Sequence, residues 1–352
     1  MHTFSEKIIV WYNHHKRDLP WRDTKDAYHI WLSEIILQQT RVEQGRSYYE
    51  KFVKRFPTVK KLASADTEEV MKLWQGLGYY SRARNLHATA RIIADKYKGK
   101  FPTDYNQILE LKGIGHYTAA AIASFACDLP HAVVDGNVYR VLSRVFGIQT
   151  PIDSTEGKKE FFALANQLLN KEKSALHNQA IMEFGAMQCK PVSPDCKVCP
   201  LNHMCFALEK EQVAELPVKS KTTKVRNRYF NYIVLKHGGK TAIVKRNEKD
   251  IWKSLYDFPL IETKKEWTES QFLASAEWKS FIKKNKYSVT SVSKTYKHVL
   301  SHQHIYARFW EIKCIASLKL VAPEIAVIIN EKELDKYPIP RLIDLYLSSK
   351  GN

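Results

Sequence analysis

No run of about 18 apolar residues, the length a membrane helix needs, occurs in this 352-residue chain. The first ten residues lack the apolar core of a secretory signal and carry His2, Glu6 and Lys7 instead, so no export segment is expected. Cysteine is scarce, with six in the chain. Cys189, Cys196, Cys199 and Cys205 crowd together while Cys127 and Cys314 stand alone, which is not the layout of a disulfide framework. These absences predict a soluble, cytoplasmic protein with no membrane association. Acidic residues are also short: 37 Asp and Glu face 55 Lys and Arg, a formal net charge of +18. That excess favours a polyanionic partner, nucleic acid first, but solvated lysine-rich faces produce similar totals, so motifs must decide.

What is present bounds the architecture. A 44% hydrophobic content supports proper cores, and the length predicts two domains. Residues 4 to about 208 read as successive helices without strand signals; in one, Asp66-Thr67-Glu68-Glu69 resembles a capping box ahead of Val70, Leu73 and Trp74, with Gly76 and Gly78 as the stop. The stretch 218–228 has five basic residues, no acid and no helical period. Beyond it, strands are predicted over 229–235 and 241–246 around a His237-Gly238-Gly239-Lys240 turn, and Ile305, Ala307 and Phe309 alternate as in a third. Helices are predicted over 269–284 and 340–347, with Pro340 as the first helical residue. The expected division is a helical domain over 1–216, a basic linker over 217–228 and a mixed α and β domain over 229–352.

The four crowded cysteines are spaced C-x6-C-x2-C-x5-C. Thiolates this close can surround one compact cofactor. Structural zinc sites usually join two short knuckles across a longer loop, whereas a single run with one central C-x2-C suits a four-iron cluster; zinc stays the alternative at this point. Pro191, Pro194 and Pro200 stop helix formation between the ligands. Lys190, Lys197 and His203 could offer positive charge to phosphate.

Two glycines in Leu111-Lys112-Gly113-Ile114-Gly115 form a tight turn feeding an apolar helix. Backbone N–H groups of Gly113 and Gly115 could bind a phosphate there, although an ordinary helix–helix turn reads the same way. Asp135 follows twenty residues after Gly115, at the start of a helix marked by Val138, Leu142 and Val145. At such a cap, backbone donors favour ionisation. Glu34 has the opposite setting, Ile30-Trp31-Leu32-Ser33-Glu34-Ile35-Ile36-Leu37, where desolvation raises a carboxyl pKa. One proton donor and one fixed anion are what cleavage of a glycosidic bond through a cationic sugar requires. A helix cap and a buried hydrogen-bonding glutamate are the plainer readings of the same two residues.

The cysteine run, coming after a glycine hairpin and an aspartate, resembles the endonuclease III superfamily of helix-hairpin-helix DNA glycosylases. The resemblance implies a 4Fe-4S cluster on Cys189, Cys196, Cys199 and Cys205, and an active-site role for Asp135. Trp31-Leu32-Ser33-Glu34-Ile35-Ile36-Leu37-Gln38-Gln39-Thr40 and Gln75-Gly76-Leu77-Gly78-Tyr79-Tyr80-Ser81-Arg82 look like the signatures of MutY-type adenine glycosylases, and the match covers nearly all of residues 4–210. Lyase-type relatives carry a lysine after the hairpin; here Tyr117 stands in its place, which implies hydrolysis without strand cleavage.

The same resemblance implies that Glu34 protonates the adenine ring and Asp135 stabilises the cationic sugar, with Asn137 positioning groups beside it. Gln39, next to Thr40, and Tyr79 would intrude into the base stack, while Trp21, Arg22, Tyr117 and Gln179 would line the adenine pocket. Residues 229–352 are similar to the MutT-like (Nudix-like) α/β domain with which adenine glycosylases recognise 8-oxoguanine. Trp252-Lys253-Ser254-Leu255-Tyr256-Asp257-Phe258-Pro259 resembles its aromatic segment, and no glycine-led box of clustered glutamates is present, so nucleotide hydrolysis is not expected. His298-Val299-Leu300-Ser301-His302 is similar to a lesion-reading loop in which Ser301 and His302 touch the oxidised base, with Leu300 where the family usually has phenylalanine; a polar turn between strands is the plainer alternative. The expected partner is double-stranded DNA with adenine opposite 8-oxoguanine or guanine, bound by a monomer that is nucleoid-associated if bacterial. Competing readings are a bifunctional glycosylase and lyase acting on oxidised pyrimidines, and a noncatalytic iron-sulfur DNA-binding protein.

Overall fold

A computed structural model describes residues 3–220, 224–247, 250–283, 285–315 and 317–350. It forms two compact units, residues 1–64 with 85–222, and residues 65–84 with 223–352. Residues 65–84 therefore group with the C-terminal part rather than with the helices that flank them in sequence. No helix among the described residues is long and apolar enough to cross a membrane.

The first unit is helical. Helix α1 (Phe4–His15) opens on a Thr3–Glu6 capping box, and α2 (Ala27–Leu37) is capped by Asp26 and buries Tyr28 and every residue from Ile30 to Ile36. A helix apolar on all sides belongs in the middle of a unit. Helices α3 (Val42–Arg55) and α4 (Val59–Ala63) follow; α5 (Thr67–Leu73), capped by Asp66, lies in the second unit. Helix α6 (Ser81–Lys96) begins in the second unit and continues into the first. Then come α7 (Tyr105–Leu109), α8 (His116–Cys127), α9 (Gly136–Phe146), α10 (Thr155–Leu168), α11 (Ser174–Met187) and α12 (Phe206–Glu209). Phe4, Ile8 and Trp11 of α1 pack with Val138, Val141 and Leu142 of α9, Phe161 of α10, and Ile181 and Phe184 of α11 in one core. Between α7 and α8, Gly113 has φ of 80° and a Cβ there would lie 2.7 Å from Asn85 Cβ, so this glycine is required by conformation and space alike. Gly115 caps α8 without either constraint.

The second unit is built on a mixed sheet. Its strands are β1 (Arg226–His237), β2 (Lys240–Lys245), β3 (Tyr256–Asp257), β4 (Leu260–Thr263), β5 (Tyr287–Val292), β6 (Tyr296–Val299), β7 (Gln303–Cys314) and β8 (Ala326–Asn330). Order along the sheet is β3-β2-β1-β7-β5, with β4 on β1, β6 on β7 and β8 on β2. The central pair β1 and β7 is parallel from Arg226 opposite Gln303 to Lys236 opposite Lys313. Helices α13 (Glu269–Ala274), α14 (Ala276–Ile282), α15 (Leu318–Val321) and α16 (Arg341–Ser348) complete it. Phe272 and Trp278 pack on Ile233, Leu235, Trp310 and Ile312 of the sheet.

Three local expectations are corrected. Arg226 to Arg228, read as linker, are the first residues of β1, because distant β7 supplies their backbone partners. Earlier in that stretch, Ile152 N donates to Val218 O and Ser220 N to Asp153 Oδ1, while residues 221–223 lie outside the described residues. The helix expected over 269–284 is two helices, broken at Ser275, whose hydroxyl accepts from Trp278 N to cap the second; Lys284 lies outside the described residues. Pro340 is the cap of α16 rather than its first turn.

Candidate active site

One cleft of about 480 Å³ opens in the first unit. Its walls bring together residues from distant parts of the sequence: Trp21, Arg22, Glu34, Gln39, Thr40, Tyr117, Asp135, Asn137 and Gln179. All nine were singled out from the sequence. Gly113 and Gly115 belong to the hairpin and do not line it, and Tyr79, Ser301 and His302 belong to the second unit. There, Leu300 N donates to Gln303 O, so Ser301 and His302 form the exposed tip of the hairpin between β6 and β7. Gln39 and Tyr79 share one trait, a backbone in the left-handed region with φ of 53° and 48°, a conformation costly for residues other than glycine and often kept at functional sites.

Glu34 is carried by the buried helix α2 and is 8% exposed. Burial pushes its carboxyl up to about 7, opposed by a hydrogen bond from Tyr117 and by Arg22, and reinforced by Asp135. The Tyr117 hydroxyl lies against both this carboxyl and Met182 Sδ, the latter at 3.8 Å. Because a thioether is a weak acceptor, the carboxyl is the stronger claimant for its proton.

Asp135 is the cap of α9. Its Oδ1 accepts from Asn137 N at 2.9 Å and Val138 N at 2.8 Å, and its Oδ2 from Asn137 Nδ2 at 2.9 Å. The cap geometry expected from sequence is present, yet its effect on ionisation is a correction: burial is the largest influence and leaves the carboxyl above its ordinary value, with these donors and Arg140 opposing it. Asn137 is itself held, since Arg140 Nη2 donates to its Oδ1 at 2.9 Å and to Gly185 O at 2.6 Å. Arg140 Nε reaches Cys189 O at 2.8 Å.

Several residues of the site escaped the sequence reading. Glu183 of α11 lines the cleft, accepting from Arg17 Nε at 2.8 Å and Nη2 at 2.7 Å and from Arg22 Nη2 at 2.6 Å. Burial alone would raise its pKa, but the bonds from Arg17 and Arg22 outweigh it and hold the carboxyl at about 2. An acid set among Ile181, Met182 and Phe184 is the same signal that marked Glu34. Gly185 admits the α9 backbone, because a Cβ there would lie 2.7 Å from Asn137 Cβ and 2.9 Å from Asn137 O. A glycine inside an apolar helix is the cue for such an approach.

Cys189, Cys196, Cys199 and Cys205, all free thiols, line one cavity together with Arg144. Arg144 Nη1 donates to Cys189 Sγ at 3.5 Å and to Lys190 O at 2.7 Å, and Nη2 donates to Pro191 O at 3.1 Å. Among the described residues no group of three His, Cys, Asp or Glu is arranged to hold a single metal ion. Burial pushes the Cys199 thiol up to about 11, with the neighbouring thiols adding to it. Four sulfurs gathered in one partly buried place are a donor set that fits a cationic metal centre.

Residues 32–170 match the family described as HhH-GPD superfamily base excision DNA repair protein, and residues 231–349 match a NUDIX domain. The chain is 34% identical over 310 residues to an adenine DNA glycosylase of Buchnera aphidicola subsp. Schizaphis graminum (strain Sg), spanning 88% of this chain and 85% of that protein. It is 42% identical over 223 residues to the adenine DNA glycosylase of Homo sapiens, 61% of this chain and 41% of that one. Among solved structures it is similar to a thermostable thymine-DNA glycosylase, with TM-score 0.55 and 32% identity over 59% of this chain and 95% of that chain. An endonuclease III in a non-covalent DNA complex shares the fold, with TM-score 0.51 and 22% identity over 59% of this chain and 94% of that chain. On this sequence similarity, sustained along most of a relative's length, the chain belongs to the adenine DNA glycosylases, base excision repair enzymes that act on DNA.

Proposed function

We propose that the enzyme hydrolyses the N-glycosidic bond of adenine opposite 8-oxoguanine or guanine in duplex DNA, with Glu34 as proton donor and Asp135 as the stabilising anion. The observation that carries this reading is that both carboxyls line one cleft, Glu34 raised to about 7 by burial and Asp135 held by three hydrogen-bond donors at the start of α9. A base inside a duplex must first be extruded, and Gln39 and Tyr79 are assigned to fill the space it leaves. Trp21, Arg22 and Gln179 then surround the base. Glu34, neutral below about pH 7, gives its proton to a nitrogen of adenine's five-membered ring. The bond between the sugar C1′ and the base nitrogen breaks with its electron pair leaving on the base. Positive charge appears on the deoxyribose, and Asp135, fixed by Asn137 and the start of α9, faces it as an anion. Water adds to C1′ and yields its proton to the Glu34 carboxylate, which restores the acid. Tyr117 supplies no amine for a Schiff base, so the strand stays intact.

Cys189, Cys196, Cys199 and Cys205 would hold a 4Fe-4S cluster. When bound, the cluster would supply a cationic core that offsets part of the charge of the four thiolates and would fix the loop carrying them. Ser301 and His302, exposed at their hairpin tip, are assigned to the oxidised guanine, and the protein is assigned to the cytoplasm as a monomer. The test is a base-release assay with adenine opposite 8-oxoguanine, guanine and thymine. Release is expected opposite 8-oxoguanine and guanine, with strand breaks only after alkali. Breakage at oxidised pyrimidines without alkali, with adenine untouched, would overturn the reading. Iron and acid-labile sulfide in the purified protein test the cluster; zinc alone would refute it.

A further inference from the structure

Helix α5, the turn after it and the first residues of α6 belong by sequence to the HhH-GPD match and by structure to the second unit. Polar bonds tie this segment to the rest of the second unit. Glu68 Oε1 accepts from Lys245 Nζ at 2.6 Å and from the Tyr256 hydroxyl at 2.5 Å. Lys72 Nζ donates to Tyr337 O at 3.1 Å, Ile339 N to Gln75 Oε1 at 3.2 Å, and Arg84 Nη1 to Lys253 O at 2.6 Å. These bonds flank one short turn on both sides. Within it, Gly76 and Gly78 take φ of 98° and 75°, the fully buried Trp74 donates to Gly78 O at 3.0 Å, and the Arg82 guanidinium lies over both the Trp74 and Tyr79 rings. At the top stands Tyr79, 45% exposed and in a left-handed backbone.

We infer that the second unit is the platform that positions Tyr79, with Glu68, Gln75 and Arg84 as positioning residues acting through the turn. The inference rests on the reading of Tyr79 as a residue that enters the base stack. Entering a stack requires a ring already held in place, since a mobile one loses its freedom on binding and weakens the contact. Gln39, the other residue assigned to the stack, is carried by the first unit. The two intruding side chains are therefore grouped in different units, and Tyr79 shares its unit with the Ser301–His302 hairpin. Lesion reading and opening of the stack by Tyr79 become one event. The Glu68–Lys245 pair is a clean handle, because both side chains are 38% exposed and such a pair contributes little to global stability.

The experiment uses the full chain and a duplex with 2-aminopurine beside 8-oxoguanine paired with adenine, read by fluorescence and by single-turnover adenine release. Tyr79→Ala, Glu68→Lys, Lys245→Glu and the Glu68→Lys/Lys245→Glu swap are compared, with melting midpoints as the check on folding. Each single charge reversal is expected to cut the fluorescence gain and the release rate about tenfold, a typical coupling for contacting residues. The swap should recover most of both, and neither reversal should add to Tyr79→Ala. Arg84→Met, which removes only the bond to Lys253 O, replaces the reversals if they unfold the protein. Losses that multiply with Tyr79→Ala, or folded reversals that match the unsubstituted enzyme, would overturn the platform. A Tyr79→Ala protein with unchanged fluorescence would overturn both the platform and the stack reading beneath it.

Discussion

Two walls of the cleft each present a glutamate from an apolar helix, and the two are driven to opposite charge states. Glu34 on α2 is 8% exposed and the Tyr117 hydroxyl offsets its burial only in part, so the carboxyl rises to about 7. Glu183 on α11 is also buried, at 1% exposed, yet two guanidiniums and the Arg17 N–H hold it at about 2. Burial pushes both carboxyls the same way, and the charged donors around Glu183 reverse its effect there. One wall holds a carboxyl that keeps its proton up to about pH 7, and the other a fixed negative charge whose two oxygens are taken up by Arg17 and Arg22.

The contrast is broken most severely by removing the proton. Glu34→Gln is expected to slow adenine release about a thousandfold or more, the scale of a lost general acid, while duplex binding in a gel-shift titration stays near that of the unsubstituted protein. The same carboxyl carries a pH signature in stability. Its folded pKa is raised, so its contribution is fully present below the unfolded value and is lost as pH rises through about 7. Urea melts should show Glu34→Gln gaining on the unsubstituted protein between pH 5 and 8, by about 3 kcal/mol at most.

Breaking the other wall acts on the fold. Glu183→Gln leaves the Arg17 and Arg22 guanidiniums without their carboxylate, and is expected to cost about 3 kcal/mol of stability at pH 7. Because the Glu183 pKa is depressed, that stability is present above the ordinary carboxylate value and fades as pH falls toward about 2. Melting curves at pH 7 and pH 3 should show the penalty shrinking; an equal penalty at both would contradict the ion pairs.

Glu34 and Asp135 each sit inside a motif readable around them, whereas Glu183 shares the apolar setting of Glu34 but has a charge state fixed by partners far along the chain. The apolar neighbours of Glu34 and the helix that Asp135 caps lie within a few residues, and the four cysteines are one local run. Glu183 draws its meaning from Arg17, 166 positions away, and Gly185 from Asn137 on another helix. Asp135 shows the limit even for a local motif: the cap was readable, but the burial that outweighs its donors was not. The helical and mixed parts of the chain were distinguishable by period, whereas the parallel pairing of β1 with β7 and the grouping of residues 65–84 with the sheet depend on long-range partners.

Arg140 sharpens the comparison at a smaller scale, because it links the anionic side of the cleft to the cysteine loop. Its guanidinium donates to Asn137 Oδ1, which aims the Asn137 Nδ2 at Asp135 Oδ2, and it also donates to Cys189 O. Arg140→Gln is expected to slow release about tenfold, the equivalent of one charged hydrogen bond, with substrate affinity little changed. A loss in affinity with an unchanged maximal rate would place Arg140 in binding rather than in positioning Asp135.

The smallest effect isolates the hydrogen bond from Tyr117 to Glu34. Tyr117 opposes the burial that raises the Glu34 pKa, so Tyr117→Phe removes that opposition and lets the carboxyl rise further. The alkaline fall of the single-turnover rate, expected near pH 7 in the unsubstituted enzyme, should move upward by less than about one pH unit. Release at pH 8 would then decline less steeply in the variant even if its maximal rate is lower, since more of the acid keeps its proton. If the fall stays in place, the hydroxyl donates to Met182 Sδ instead of the carboxyl, and the contrast between the two walls rests on burial and the arginines alone.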